Sequence, residues 1–258
     1  MLFGLIGTQR KFRTDVAFAS ECGLVRRENQ DHLVADPKTL VFCIADGMGG
    51  GEAGGEASSA VCRNVDSALH ERASFADRIR LVDDAIHRAD GEIRAISTAA
   101  GYRQMGTTVA VLVSDGKRIA AVGNVGDSRV YRLRDGKLTQ LTKDHTLTAE
   151  ILSHRLPHGV KPLADIRALA LSHILTRAVG VGQERLRVDW RRVDVKDGDV
   201  MLLCSDGVHG AVAPSALAAA LLAGGGAKEM LGRICSLVVT NGARDNYSAI
   251  VVKIGGRR

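Results

Sequence analysis

Four aspartates in this chain share a local pattern. Asp46-Gly47 closes the apolar run TLVFCIA, and Asp206-Gly207 closes DVMLLCS. Asp127 follows Gly126 in VGDSRV, and Asp245 stands in ARDNYSAIVV, just ahead of another apolar run. Each sits where a strand should meet a loop, so its carboxylate can project from the rim of a sheet. One Asp-Gly at a strand end is an ordinary turn; four at sheet rims predict convergence. Converging carboxylates repel one another and hold protons unless a cation offsets them. An all-oxygen donor set suits a hard divalent ion, Mg(II) or Mn(II). Two such ions can hold a bridging hydroxide and clamp both oxygens of an in-line phosphoryl displacement. Arg26, in ECGLVRRENQD upstream of Asp31, adds a guanidinium able to grip a phosphate through two parallel hydrogen bonds. Its neighbour Arg27 should point elsewhere.

The stretch ADGMGGGEAGGEA (45–57) has a rival reading. Gly49, Gly51 and Gly54 satisfy G-x-G-x-x-G, the dinucleotide fingerprint when it joins strand to helix inside a βαβ unit. Here no second strand follows. Helical periodicity runs from about 55 to 97, and hairpins come next. A P-loop is excluded because no Gly-Lys-Ser/Thr occurs, and the thiol-phosphatase signature Cys-x5-Arg is absent too. What remains is a glycine loop whose backbone passes close to something bulky. A metal cluster would be such a neighbour, with the Gly47 carbonyl as a natural ligand.

The elements that must hold these residues come in blocks. TTVAVLVS (107–114) and RIAAVGNV (118–125) flank Asp115-Gly116; SRVYRLR (128–134) and KLTQLT (137–142) flank Asp135-Gly136. Asp-Gly between β-prone runs signals a tight hairpin turn. Further strands are expected at 39–45, 186–195, 199–204 and 247–254. Ile79, Val82, Ile86, Ala89, Ile93 and Ile96 recur at helical steps and predict a helix over 78–97. Others are expected at 55–71, 214–223 and 227–240. This order argues for an α+β fold with antiparallel sheets covered by helix pairs, since βαβ alternation would instead give a parallel sheet. Residues 143–180 hold four of the eight histidines and two of the four prolines, with no clear period in the first half. They read as a surface insertion, a lid whose histidines are solvated.

Composition narrows the class. The chain has 258 residues, 45% hydrophobic and 25% charged, which is ordinary for a globular protein. Residues 1–14 read as an N-terminal extension and 15–258 as one domain. No apolar run approaches the ~20 residues of a membrane span. Near the start the basic residues follow the short apolar stretch, the reverse of a signal peptide. The net charge of +6 is spread thinly and aromatics are 3%, which argues against nucleic acid as a partner. Five cysteines, far apart and without CxxC, suit reduced thiols in the cytoplasm. A monomer is the default expectation.

Seven segments occur in the order VRRENQD, ADGMGG, MGTT, GNVGDSRVYRL, SHILTRAVG, LCSDGV and ARDNYSAIVV, between residues 25 and 252. Together they resemble the metal-dependent type 2C Ser/Thr protein phosphatases, the PPM family, in its compact bacterial form. The resemblance implies a four-layer α-β-β-α sandwich with antiparallel central sheets and a flap at about 145–175. It implies two Mn(II) or Mg(II) ions, with a weaker third. Asp46 would bridge the two ions, Gly47 would offer its carbonyl to one, and Asp206 and Asp245 would ligate the other. Asp127, with Asp206, would form the third site. Asp31 would hydrogen-bond to metal-bound water, Arg26 would hold the substrate phosphate, and Gly106, Thr107 and Thr108 would support the site. The implied reaction is hydrolysis of phosphoserine or phosphothreonine by direct attack of a metal-bridging hydroxide, opposing a bacterial Ser/Thr kinase. The alternative is a pseudophosphatase that binds phosphoproteins without hydrolysis. Two positions depart from the family's pattern. Met48 stands where animal members carry a histidine proposed as general acid, so leaving-group protonation would come from metal-bound water or another group, with His32 a candidate by sequence proximity alone. Gln30 replaces a common acidic residue before Asp31.

Overall fold

The computed structural model describes residues 12–49, 53–70, 72–102, 104–153, 174–182 and 185–257. Two antiparallel sheets lie face to face. The first runs β1(Phe12–Glu21), β11(Tyr247–Arg257), β10(Val200–Cys204), β7(Arg129–Arg134), β8(Lys137–Gln140). The second runs β2(Asp31–Asp36), β3(Val41–Gly49), β5(Val109–Ser114), β6(Ile119–Val125), β9(Asp189–Asp194), with the short β4(Met105–Thr107) on β3.

The period-two geometry of a strand explains the layers. In β3, Val41, Cys43 and Ala45 face α1(Ala53–Ser67) and α2(Phe75–Ala100), while Phe42 and Ile44 face the other sheet. In β10, Val200, Leu202 and Cys204 face the helices α4(Asp206–His209), α5(Pro214–Leu222) and α6(Ala227–Thr240), while Met201 and Leu203 meet Phe42 and Ile44 in the middle. Both faces of the central strands are therefore buried, which is why they read as unbroken apolar runs. Helix pairs outside and sheets inside give the four-layer α-β-β-α sandwich.

The four expected helices form, displaced by no more than a few residues at their ends. Ser74 caps α2 by accepting from the Asp77 amide, and Gly101 ends it at φ 69°. Both Asp-Gly hairpins form, with Gly116 at φ 72° and Gly136 at φ 78°. Three strands were not legible. β1 begins at Phe12, so Phe12 to Thr14, placed in the extension by sequence, pair with the last residues of β11. β2 and β4 were also missed. Within the insertion, α3(Leu147–Ser153) is helical, and residues 154–173 of the expected flap lie outside the described residues. Among the described residues, no helix is long and apolar enough to cross a membrane.

Candidate metal centre

The topology brings the aspartates to one end of the sandwich. β2 and β3 place Asp31 directly opposite Asp46, a like-charge cross-strand pair that destabilises unless something offsets it. Asp206 opens α4 straight after β10, and Asp245 stands two residues ahead of β11. Those strands are neighbours in the other sheet. Asp127 lies in the β6–β7 connection, which crosses from one sheet to the other. Asp46, Gly47, Asp206, Asp245 and Arg26 line one cavity of about 500 Å³. Asp46, Asp127 and Asp206 line an adjoining one of about 410 Å³.

The electrostatics are those of charges crowded together. The Asp46 carboxyl faces the cavity yet is hemmed in by protein. Its pKa is held well above the usual carboxylate range by desolvation first, then by Asp31, Asp206 and Asp127. Asp127, 7% exposed, is pushed up to about 7 by burial and then by Asp206. Asp31, 3% exposed, is pushed up to about 6; burial raises it, and the Ser205 hydroxyl, donating to Oδ2 at 2.7 Å, opposes that rise. Among the described residues, Asp31 Oδ1 is buried without a hydrogen-bond partner. Arg26 donates to Asp245 Oδ2 at 2.8 Å, and this bond raises the guanidinium's own pKa.

A scaffold of small polar residues fixes this end. Thr107 Oγ1 and the Thr108 amide both donate to the Asp46 carbonyl, at 2.8 and 2.9 Å. The Asp46 amide donates to Thr108 Oγ1 at 3.1 Å. Gly47 answers the question of what its loop passes close to: a Cβ there would lie 2.0 Å from the Gly54 carbonyl oxygen in the first turn of α1. The bulky neighbour on that side is a helix. Asn246, which sequence reading missed, ties the Arg26 loop to β11. Its Nδ2 donates to the carbonyls of Cys22 (2.9 Å) and Glu28 (2.8 Å), and its Oδ1 accepts from the Gln30 amide (2.9 Å). Ser205 was missed as well. Nothing in one sequence distinguishes these two from other polar residues at strand ends; only their partners do.

Three expectations fail here. Arg27, expected to point elsewhere, lines the same cavity as Arg26. His32 points away from the cavity, with Nδ1 2.9 Å from Ser58 Oγ of α1, because β2 alternates and Asp31 takes the site face. It is not positioned to protonate a leaving group. His145, expected in a solvated loop, is 4% exposed.

The donor set fits a hard divalent cation. The cavity offers carboxylate and carbonyl oxygens, no histidine or cysteine lines it among the described residues, and an orphaned carboxylate oxygen is buried behind it. Among the described residues, no three acid, His or Cys side chains already stand close enough together to enclose one ion; Asp245 is turned to Arg26. Oxygen donors around an open cavity, with a guanidinium beside them, are chemically suited to divalent cations and a phosphoryl group.

The chain belongs to the protein phosphatase 2C family, whose model matches residues 26–234. It is 30% identical over 239 residues to the serine/threonine protein phosphatase PstP of Mycobacterium tuberculosis, covering 92% of this chain and 44% of PstP. The chain thus spans less than half of that relative's length. Among solved structures, PppA, titled a key regulatory component of T6SS in Pseudomonas aeruginosa, superposes with a TM-score of 0.82 at 29% identity, covering 93% of this chain and 97% of PppA. The catalytic domain of PstP, solved with two manganese ions, gives a TM-score of 0.80 at 29% identity and covers 94% and 99%.

Proposed function

We propose that the protein is a metal-dependent phosphoprotein phosphatase that hydrolyses phosphoserine and phosphothreonine. Asp46, the Gly47 carbonyl, Asp206 and Asp245 would hold two Mn(II) or Mg(II) ions, and Asp127 with Asp206 a weaker third. The observation that carries this is the convergence of these oxygens, from both sheets, on two adjoining cavities, one of them lined by Arg26. Bound divalent ions supply an activated water for in-line attack and offset charge on the phosphoryl oxygens.

The residues divide the remaining work. Arg26 leaves Asp245 and turns its fork to the substrate phosphate, which frees Asp245 for a cation. Asp31, desolvated and held by Ser205, keeps a buried carboxylate oxygen behind the cavity, across the strand pair from Asp46. Met48 lines the cavity and has no proton to give, so this chain does not use a histidine at that position. Thr107 and Thr108 keep the Asp46 backbone in place. Substrates are proteins phosphorylated on Ser or Thr, a cognate Ser/Thr kinase among them. The chain acts in the cytoplasm as a monomer.

The test is phosphate release from a phosphothreonine peptide with Mn(II) and with EDTA, for wild type, Asp46→Asn and Asp206→Asn. Mn(II)-dependent release lost in both variants is expected. Peptide binding by Mn(II)-loaded wild type without release would instead make the chain a phosphoprotein-binding module.

A further inference from the structure

The cavity continues past the carboxylates. Beyond the 410 Å³ recess lies another of about 400 Å³. Met48 borders all three recesses, and Leu175 and Val181 border the outer two. They form one trough, with Arg26 at its near end. At the far end the floor is apolar (Leu175, Ala178, Leu186), and the wall carries Arg177, Arg185 and Arg187.

Two of these arginines are held in place. The Gly126 amide donates to His145 Nδ1 at 3.1 Å, so the ring proton sits on Nε2, which donates to Asp189 Oδ2 at 3.0 Å. Asp189 Oδ1 then accepts from Arg177 at 2.9 Å and pairs with Arg187 Nε at 3.3 Å. One carboxylate, anchored to a buried imidazole, thus sets two guanidiniums side by side. Arg185 is exposed and has no hydrogen bond or ion pair among the described residues. Among the described residues, three guanidiniums stand against one carboxylate, a surplus of positive charge at the far recess.

We propose that this recess is a substrate subsite for an anionic side chain, carried on the same polypeptide as the phosphorylated residue that enters the metal centre. Aspartate, glutamate and a second phosphorylated residue share that chemistry. The apolar floor accommodates the methylene stem, and the guanidiniums take the charged end. Because the recess adjoins the metal centre and an extended chain advances ~3.4 Å per residue, the anion lies a few residues from the scissile phosphate. The inference rests on the phosphatase reading above. It goes further in naming a substrate class: phosphosites with acidic or multiply phosphorylated flanks.

The experiment walks Asp, and separately phosphoserine, through the flanking positions of an otherwise neutral phosphothreonine peptide. Ion pairs at exposed sites predict an increase in kcat/KM of about two- to fivefold for Asp on one flank, larger for phosphoserine, and lost at high salt. Arg185→Glu, at an exposed position without partners among the described residues, lowers that preference. The double variant Arg185→Glu/Arg187→Glu inverts it toward Lys. A flat panel, or a preference that survives the double variant, overturns the subsite. A small aryl phosphate, too short to reach the recess, separates the two levels. Its turnover with a flat peptide panel removes the subsite alone; no turnover of ester or peptide removes the phosphatase reading, and the subsite with it.

Discussion

Ser205→Ala removes one oxygen, yet it should disturb both the fold and the chemistry. Ser205 is fully buried at the end of β10. Its hydroxyl donates to Asp31 Oδ2 at 2.7 Å and accepts the Ser248 amide at 2.9 Å, so it joins β2 of one sheet to β10 and β11 of the other. Alanine leaves that amide without its partner and strips a donor from the Asp31 carboxylate. An orphaned buried amide costs about 1–3 kcal/mol and a lost hydrogen bond to a charge about 1.5–3 kcal/mol. Taken as non-additive, the total is about 3–5 kcal/mol. At about 2–4 °C per kcal/mol for a chain of this size, Tm falls by roughly 10 °C. The chemical effect has a definite sign. Asp31 already sits at about 6; losing a donor to its anion raises it further. The acid limb of kcat/KM therefore moves to higher pH. Thermal unfolding in EDTA and a pH–rate profile in Mn(II) measure the two effects. A Tm within about 2 °C of wild type, together with an unmoved acid limb, would refute the bridging role of Ser205.

Other consequences follow from the same geometry. Gly47→Ala sets a Cβ 2.0 Å from the Gly54 carbonyl oxygen; the strand or α1 must shift, and Mn(II) affinity measured by calorimetry should drop at least about tenfold, roughly 1.4 kcal/mol. Asp127, pushed up to about 7, favours the fold while protonated, a contribution complete below its unfolded value near ~4 and lost as pH rises through about 7. Metal-free Asp127→Asn should accordingly have a higher Tm than metal-free wild type at about pH 8, with the gap closing toward about pH 4; a gap that widens on acidification would contradict this. Mn(II) binding should release protons below about pH 7 and weaken as pH falls, seen by calorimetry in two buffers of different ionisation enthalpy. The Arg26–Asp245 pair is 56% and 38% exposed, so Arg26→Ala should change Tm by little (about 1 kcal/mol or less) while raising KM for a phosphopeptide; Arg26→Lys should recover only part, because it lacks the planar fork.

The helices and central strands were legible because their signals are local. Helical spacing placed α2, and Asp115-Gly116 and Asp135-Gly136 placed two hairpins. β1 and β2 were not, for a physical reason. FRTDVAFASE and DHLVAD mix polar and apolar residues without clean alternation. β1 is an edge strand whose partner lies more than 200 residues downstream, so long-range pairing, not propensity, makes it a strand. The four aspartates were legible as a set, since each ends or begins an apolar strand at one rim. Their surroundings were not. Ser205, Asn246 and the Arg26–Asp245 contact depend on loops meeting across the two sheets. His145 looked like a loop histidine because its partners, Gly126 and Asp189, lie 19 and 44 residues away in sequence.

The most direct test counts metal and turnover on the same samples. Wild type and Asp46→Asn would be dialysed against Mn(II), assayed for bound manganese per chain, and then given a phosphothreonine peptide with and without EDTA. The account predicts at least two tightly held manganese ions in wild type and phosphate release that EDTA stops, with both bound metal and release lost in Asp46→Asn. Manganese-loaded wild type that releases no phosphate, or undiminished release by Asp46→Asn or in EDTA, would contradict it.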